Sequence, residues 1–414
     1  MRLSKVILFG AVGLSSVLTG CQSMQQSINK TFNKTLSLRQ GTRELVLEPT
    51  FARATTEKEN LTYRRQNRMS PILTDKYVIQ GNAIDGLVVF GRKAGNVVWR
   101  LHVENGIEGG VELAGAGDQA TLFFGGGDGM VRAVELATGK VLWSTTLRAE
   151  LLAKPTVDRG VLIAQTGADV VYGLEAISGK LLWTYNRQVT GNLSVRATTQ
   201  PVVVGENVLA GFSDGVLVSL RKRDGVLQWE RKVGRGNRFR DVDSTPTVRG
   251  NRAYVASYDG SLVALNTDSG EILWQADFGG YLPVTLGTQA YSDRLYFSTV
   301  DGRVLEIEES TGKELRAIRL RSGIATQPVI SRNLLIFGES EGAVRVVDLA
   351  SFKTVAQYQS GEGLLSTPTL DNKGHELWFI SSSANLYSLK LSYRRVAERF
   401  PWKRIESSSQ SASF

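Results

Sequence analysis

Residues 128–143 read DGMVRAVELATGKVLW and contain the whole pattern that decides the fold. An aspartate and a glycine precede alternating apolar residues, and a second glycine, Gly139, is followed four positions later by Trp143. Alternation of apolar and polar residues predicts a half-buried strand, and glycine is typical of the tight turns between short strands. The stretch therefore predicts two short strands and the turn that joins them.

The same pattern recurs along the chain at intervals of about forty residues. Its first half, an acidic or small residue before alternating apolar residues, begins at eight positions: Asp85, Asp128, Asp169, Asp214, Asp259, Asp301, Glu341 and Ala384. Its second half places tryptophan four residues after a glycine at Trp99, Trp143, Trp183, Trp229 and Trp274. Gly312 is followed by Arg316 instead, and both residues are lost around Phe352.

Each unit also begins with a proline or its replacement, followed by an apolar strand. These positions are Pro71, Val111, Pro155, Pro201, Pro246, Gln289, Pro328 and Pro368. Each unit then has four short strands, and eight such sheets stacked radially can bury their faces against one another. We therefore predict an all-β fold, an eight-bladed β-propeller of four-stranded antiparallel blades, over residues 44–391.

Two further features of the ring follow from this arrangement. The five tryptophans lie near the ends of strands, where they can cover the adjacent sheet, so we interpret them as structural core rather than as a binding cage. The segment between Glu48 and Arg64 also carries strand-like residues. We expect part of it to pair with the last blade and close the ring.

The amino terminus has the layout of an export signal. Arg2 and Lys5 precede an apolar run that ends at Leu18-Thr19-Gly20-Cys21. This tetrapeptide resembles the bacterial lipobox, which predicts a signal peptide over residues 1–20, lipidation of Cys21 and a flexible tether over residues 21–43. Gln22 does not resemble the aspartate of the inner-membrane retention signal, so we expect an anchor at the periplasmic face of the outer membrane. Residues 392–414 are expected to form a partly disordered tail.

The amino-acid composition limits which kinds of functional site the chain can contain. The chain has one cysteine and two histidines, which excludes an intramolecular disulfide and leaves few ligands for a zinc-type metal site. Its net charge of +9 favours anionic partners without specifying a site. We predict no catalytic residues, no metal site and no cofactor, and export argues against a nucleic-acid partner.

The repeat resembles those of quinoprotein-type propellers, and together with the lipobox and eight units it is similar to the BamB family. These are propeller lipoproteins of the machinery that assembles outer-membrane β-barrels. Two motifs, Asn192-Leu193-Ser194-Val195-Arg196 and Arg240-Asp241-Val242-Asp243, are similar to the family's segments that contact a POTRA domain of the barrel-forming subunit BamA. The resemblance implies partner contacts at Leu193, Val195, Arg196, Asp241 and Asp243. Val195 departs from the leucine common in the family.

Spacing independently indicates the same region. The tryptophan position precedes the next proline position by 12 residues at most junctions, but by 18, 17 and 15 at Trp183/Pro201, Trp229/Pro246 and Trp274/Gln289. Three consecutive enlarged junctions would lie side by side on one face, where long loops on a rigid scaffold commonly bind partners. Asp241 and Asp243 alternate on a strand-like stretch, and would face a basic partner, Arg196 or Arg240.

Two other functions use the same fold. A pyrroloquinoline-quinone dehydrogenase would need a calcium-bound cofactor and a catalytic aspartate, and the resemblance to such enzymes implies that they commonly carry a vicinal cysteine pair. No acidic cluster of that kind is evident in the sequence. A propeller that binds unfolded barrel strands along its exposed blade edges is compatible with a scaffold role. Our first hypothesis is a non-enzymatic scaffold that docks to BamA.

Overall fold

The computed structural model describes residues 43–57, 66–187, 199–236 and 241–395, which form eight four-stranded antiparallel sheets. The first four blades contain β2 (Ile72–Leu73), β3 (Tyr77–Asn82), β4 (Gly86–Gly91) and β5 (Val97–His102); β6 (Val111–Ala114), β7 (Thr121–Gly125), β8 (Met130–Glu135) and β9 (Val141–Thr146); β10 (Thr156–Asp158), β11 (Val161–Thr166), β12 (Val170–Glu175) and β13 (Leu181–Asn186); and β14 (Val202–Val204), β15 (Asn207–Gly211), β16 (Val216–Arg221) and β17 (Leu227–Lys232).

The other four blades contain β18 (Thr247–Arg249), β19 (Arg252–Ser257), β20 (Ser261–Asn266) and β21 (Ile272–Ala276); β22 (Thr285–Leu286), β23 (Arg294–Ser298), β24 (Arg303–Glu308) and β25 (Glu314–Arg319); β26 (Val329–Ser331), β27 (Leu334–Gly338), β28 (Val344–Asp348) and β29 (Lys353–Tyr358); and β30 (Thr369–Leu370), β31 (Glu376–Ile380), β32 (Asn385–Arg395) and β1 (Arg43–Ala54). Short 3-10 helices cover Gly117–Gln119 and Gln289–Tyr291. The predicted eight-bladed propeller is confirmed.

The early strand closes the ring, as predicted. β1 is the outermost strand of the eighth blade, beside β32. Thr55, just after β1, donates its backbone N–H to the carbonyl of Ala384 at 2.9 Å, and its own carbonyl accepts hydrogen bonds from Asn82 and Arg100 of the first blade. The first and last blades are thereby joined through a segment that precedes both in sequence.

The tryptophans lie at the seams between blades. In each of the first five blades a β-bulge shifts the register of the two outer strands next to the tryptophan, and bulges turn a side chain away from the regular pleat. The indole Nε1 donates to a backbone carbonyl of the following blade in five pairs, Trp99–Leu136, Trp143–Ala176, Trp183–Lys222, Trp229–Thr267 and Trp274–Glu309, at 2.8–3.0 Å. Each of these tryptophans therefore links its blade to the next one.

The core consists of apolar layers between neighbouring blades. Between the third and fourth blades, for example, Ile163 and Trp183 pack with Ala210, Phe212 and Val218. Similar clusters fill the seams from the fourth to the seventh blade and the seam between the eighth and first blades. Because each cluster takes side chains from two sheets, no blade buries both of its faces alone.

The acidic-glycine pattern was misaligned in two units. Gly129 and Gly215 have φ of +75° and +83° in the turn before the third strand. In the third blade this position is taken by Asp169, φ +58°, and in the eighth by Ala384, φ +62°. Alignment of the repeats by sequence alone puts Asp169 and Ala384 at the acidic position, because the alternating residues that follow fit either alignment.

The described residues divide into two compact units. Leu47–Leu391 is the propeller, and the other unit comprises Met1–Val46 and Ser392–Phe414, of which residues 43–46 and 392–395 are described as strand. Cys21 and the predicted signal peptide, tether and most of the tail lie outside the described residues. In the described part of the chain, no helix has the length and apolar character needed to cross a membrane.

Candidate functional site

Two of the junctions between blades are enlarged and flank one blade. Residues 187–201 connect β13 to β14, and residues 233–246 connect β17 to β18, on either side of the fourth blade. Because strands alternate in direction, both junctions emerge on the same face as the turns between second and third strands. We call residues 187–201 the first junction and residues 233–246 the second junction.

The predicted third enlarged junction is wrong. β22 already begins at Thr285, so residues 277–284 connect the fifth blade to the sixth, and Val284, fully buried, occupies the proline position. Gln289 lies instead in a 3-10 helix in the turn between β22 and β23, on the opposite face. The spacing before Gln289 predicts extra residues on the wrong face of the propeller, because no proline marks the start of the sixth blade.

The predicted contact residues fall into two groups. Leu193, Val195 and Arg196 lie outside the described residues. Asp241 and Asp243 are buried, with 0% and 5% of their surfaces exposed. Residues 241–246 form no strand, so the expected alternation of the two carboxylates on a strand does not apply to them.

Val242, between the two aspartates, fixes the second junction to the fourth blade. Its side chain is fully buried, and its N–H donates to the carbonyl of Phe212 at 3.1 Å. A Cβ on Gly211 would lie 2.6 Å from a side-chain carbon of Val242, so the missing side chain of Gly211 makes room for it. The carbonyl of Asp241 accepts a hydrogen bond from Tyr258 of the fifth blade at 3.1 Å. The Asp-Val-Asp segment is therefore held by two blades.

A charged cluster surrounds the start of the first junction. The Arg187 guanidinium donates from Nε to Asp214 at 2.6 Å and from Nη1 to Glu230 at 2.8 Å, and it lies 5.9 Å from the ring centroid of Phe212. Hydrogen bonds to these two carboxylates raise the pKa of Arg187 against the opposing effect of burial, so it is a permanent cation.

Asp169 belongs to the same cluster. Its carboxylate accepts the Ser213 N–H at 3.1 Å and is also bonded to the Ser213 hydroxyl. Burial raises the pKa of the Asp169 carboxyl above its ordinary value, and the neighbouring Asp214 and Asp241 act in the same direction, while the hydrogen bonds from Ser213 oppose them. The base of both junctions therefore concentrates negative charge, which Arg187 partly compensates.

A small cavity of about 200 Å³ is formed where the starts of the blades converge. Its charged lining residues are Arg68, Glu108, Lys154 and Asp243. Lys154 is paired with Glu112, and the Arg68 guanidinium lies 5.8 Å from the ring centroid of Tyr281. Within the described ranges, no three His, Cys, Asp or Glu side chains converge as metal ligands would.

Comparison with known proteins identifies the family of the chain. The family described as Outer membrane protein assembly factor BamB matches residues 85–292, half of the chain. The chain belongs to the BamB family. The BamB of Shewanella oneidensis is 27% identical over 326 residues, which cover 74% of this chain and 81% of that protein.

Solved structures share the fold. The crystal structure of BamB from Moraxella catarrhalis superposes with a TM-score of 0.70 at 23% identity, covering 83% of this chain and all of that chain. A europium-containing methanol dehydrogenase has a TM-score of 0.69 at 11% identity, covering 83% of this chain and 93% of that chain. Likeness at these identities shows the propeller fold alone, so it does not distinguish the functions of these proteins.

Sequence reasoning missed Arg187, Val242 and Thr199, which fix the two junctions in the BamB fold. Thr199 is buried and donates its hydroxyl to the carbonyl of Val242. Enlarged spacing shows that the junctions are unusual, but these contacts join residues 27 to 43 positions apart in the sequence. No local pattern encodes such pairs.

Proposed function

We propose that this member of the BamB family is a non-enzymatic scaffold lipoprotein of outer-membrane β-barrel assembly, which docks to a POTRA domain of a BamA-like subunit. The observation that carries the proposal is the pair of enlarged junctions beside the fourth blade, together with the family match. The curated relatives are named for outer membrane protein assembly. The anchor would be the lipidated Cys21, at the periplasmic face of the outer membrane.

The proposed contact has two parts. Leu193 and Val195 supply apolar contacts, and Arg196 supplies a planar guanidinium that suits a carboxylate of the partner. Asp241 and Asp243 contribute from beneath, because their burial in the free chain makes them supports of the second junction. The propeller holds the buried Asp241 and Asp243 at fixed positions, which reduces the entropy lost on binding.

Co-purification with BamA from detergent-solubilised membranes tests the docking. The double substitution Leu193→Ala and Arg196→Ala should reduce the recovered BamA at least fivefold, with an unchanged circular dichroism spectrum and Tm. The matched control is Arg321→Ala, an exposed arginine in the junction before the seventh blade, which should leave recovery unchanged. Equal recovery with both variants would place the interface elsewhere.

A second candidate function is capture of extended peptides along the outermost strands. In the first three blades these strands open with two adjacent exposed aliphatic residues. Val141 and Leu142 are 40% and 50% exposed, and Leu181 and Leu182 are 49% and 47% exposed. An apolar strand with a free edge can pair with an added strand. If purified wild-type protein binds unfolded barrel segments while recovering no BamA, this second function is favoured.

A further inference from the structure

The two enlarged junctions are hydrogen-bonded directly to each other near their carboxyl-terminal ends, at residues 199–200 and 242–245. The Thr199 hydroxyl at the end of the first junction donates to the carbonyl of Val242 in the second. One residue later, the N–H of Gln200 donates to the hydroxyl oxygen of Thr245 at 3.1 Å. Thr199 is 1% exposed, so water does not compete for its bond. Displacement of the end of one junction therefore strains the end of the other.

The start of the first junction is fixed separately. The Arg187 N–H donates to the carbonyl of Asp169 at 3.2 Å, which continues the ladder of the third blade. Its guanidinium crosses the seam to Asp214 and Glu230 of the fourth blade. The Arg187 and Asp214 side chains are only 18% and 17% exposed, so this ion pair is screened less than a surface pair. Arg187 thus ties the first junction to the blade that carries the second.

We propose that Thr199 and Arg187 are positioning residues that hold the described ends of the two junctions at a fixed spacing, so that a partner meets both junctions from one common base. This inference rests on the proposed docking function and deepens it. Neither side chain needs to touch the partner. Their effect is on the free chain, because junctions whose ends are already held together lose less entropy on binding.

The chain provides matched controls for both residues. Thr369 donates its hydroxyl to the carbonyl of Pro71 at 2.8 Å across the seam between the eighth and first blades, remote from the junctions. Arg303 pairs with Asp301 and Glu314 at 2.8 and 3.0 Å in the sixth blade, and its side chain is 23% exposed. Substitutions there remove comparable bonds without touching either junction.

Binding of the full mature chain to the purified periplasmic region of BamA is one test. We expect Thr199→Val to weaken the affinity about fivefold or more, and Thr199→Ser, which keeps the hydroxyl, to restore it to within twofold. Arg187→Gln should weaken the affinity about tenfold, and Arg187→Lys less. Thr369→Val and Arg303→Gln should match the wild type, although Thr369→Val should lower the Tm as much as Thr199→Val does.

Hydrogen exchange of the free chain is the second test, and it needs no partner. Thr199→Val should accelerate amide exchange in both junctions at least fivefold, whereas Thr369→Val should accelerate neither. If the wild type binds BamA and Thr199→Val binds equally well, the coupling proposal is overturned while docking stands. If exchange accelerates in both junctions but the wild type does not bind BamA, the junctions are coupled and the proposed function fails.

Discussion

At the scale of single residues, the seams depend on a tryptophan that covers a glycine. Gly179 has φ +71°, a conformation that is costly for any residue with a Cβ. A Cβ there would lie 2.4 Å from the Trp143 ring of the preceding blade. The glycine therefore serves both the turn and the seam, which explains why the sequence repeats the two residues together.

This dual role predicts unequal costs for two similar substitutions. Gly160 has φ +83°, and a Cβ there would meet no atom within 4 Å. Gly160→Ala should cost about 1 kcal/mol of unfolding free energy, the cost of the left-handed backbone alone. Gly179→Ala should cost about 3 kcal/mol, because the Trp143 ring must also move. Urea denaturation of both variants measures the difference, and equal midpoints would show that the ring moves freely.

At the scale of elements, the sixth and seventh blades form a seam with a different chemistry. Arg316 replaces the tryptophan and donates to the carbonyls of Leu349 and Ala350 at 2.8 and 2.9 Å. Its guanidinium carbon lies 4.7 Å from the ring centroid of Phe352, which adopts the left-handed conformation at φ +53°. Glu306, opposite Arg316 and 2% exposed, pairs with it. The seam is thus closed by a cation–π contact and an ion pair.

Restoring the repeat at this seam should require three changes together. Arg316→Trp alone should destabilise by about 3–5 kcal/mol, because it leaves the Glu306 carboxylate buried without its partner. Adding Glu306→Ala and Phe352→Gly should recover most of this loss, since small residues lie opposite the tryptophans of other blades, such as Ala133 and Gly173. Thermal unfolding of the single and triple variants measures the coupling. Additive losses would contradict it.

At the scale of the whole propeller, the ring is closed by β1. Phe51 of this strand occupies the place of the missing tryptophan, because a Cβ on Gly95 would lie 2.7 Å from its ring. The ring also contacts Phe90 and Trp378, with centroid distances of 5.9 and 5.2 Å. The first and last blades therefore share an apolar cluster that the other blades cannot supply.

Two truncations test this closure. Removal of every residue before Arg43 should leave the Tm of the propeller unchanged, because β1 is retained. Removal of every residue before Thr55 should lower the Tm by more than 10 °C or abolish cooperative unfolding, since it exposes β32 and the seam at the first blade. Differential scanning calorimetry compares the two proteins. An unchanged Tm for the shorter protein would show that seven complete blades and one of three strands are sufficient.

The amino-acid sequence alone is enough to predict the number of blades and the four strands in each. These properties are local, because strand alternation, turn glycines and repeat length are written within about forty consecutive residues. It also indicated that the chain around the fourth blade is unusually long.

The positions of the extra residues and the accessibility of the side chains become known only from the folded chain. In the folded chain the extra residues before Gln289 lie on the opposite face of the propeller, and Asp241 and Asp243 are buried. Thr199 is hydrogen-bonded to Val242. These properties depend on contacts across seams between residues far apart in sequence. Burial and pairing arise only when separate blades pack, so a repeat read one unit at a time cannot contain them.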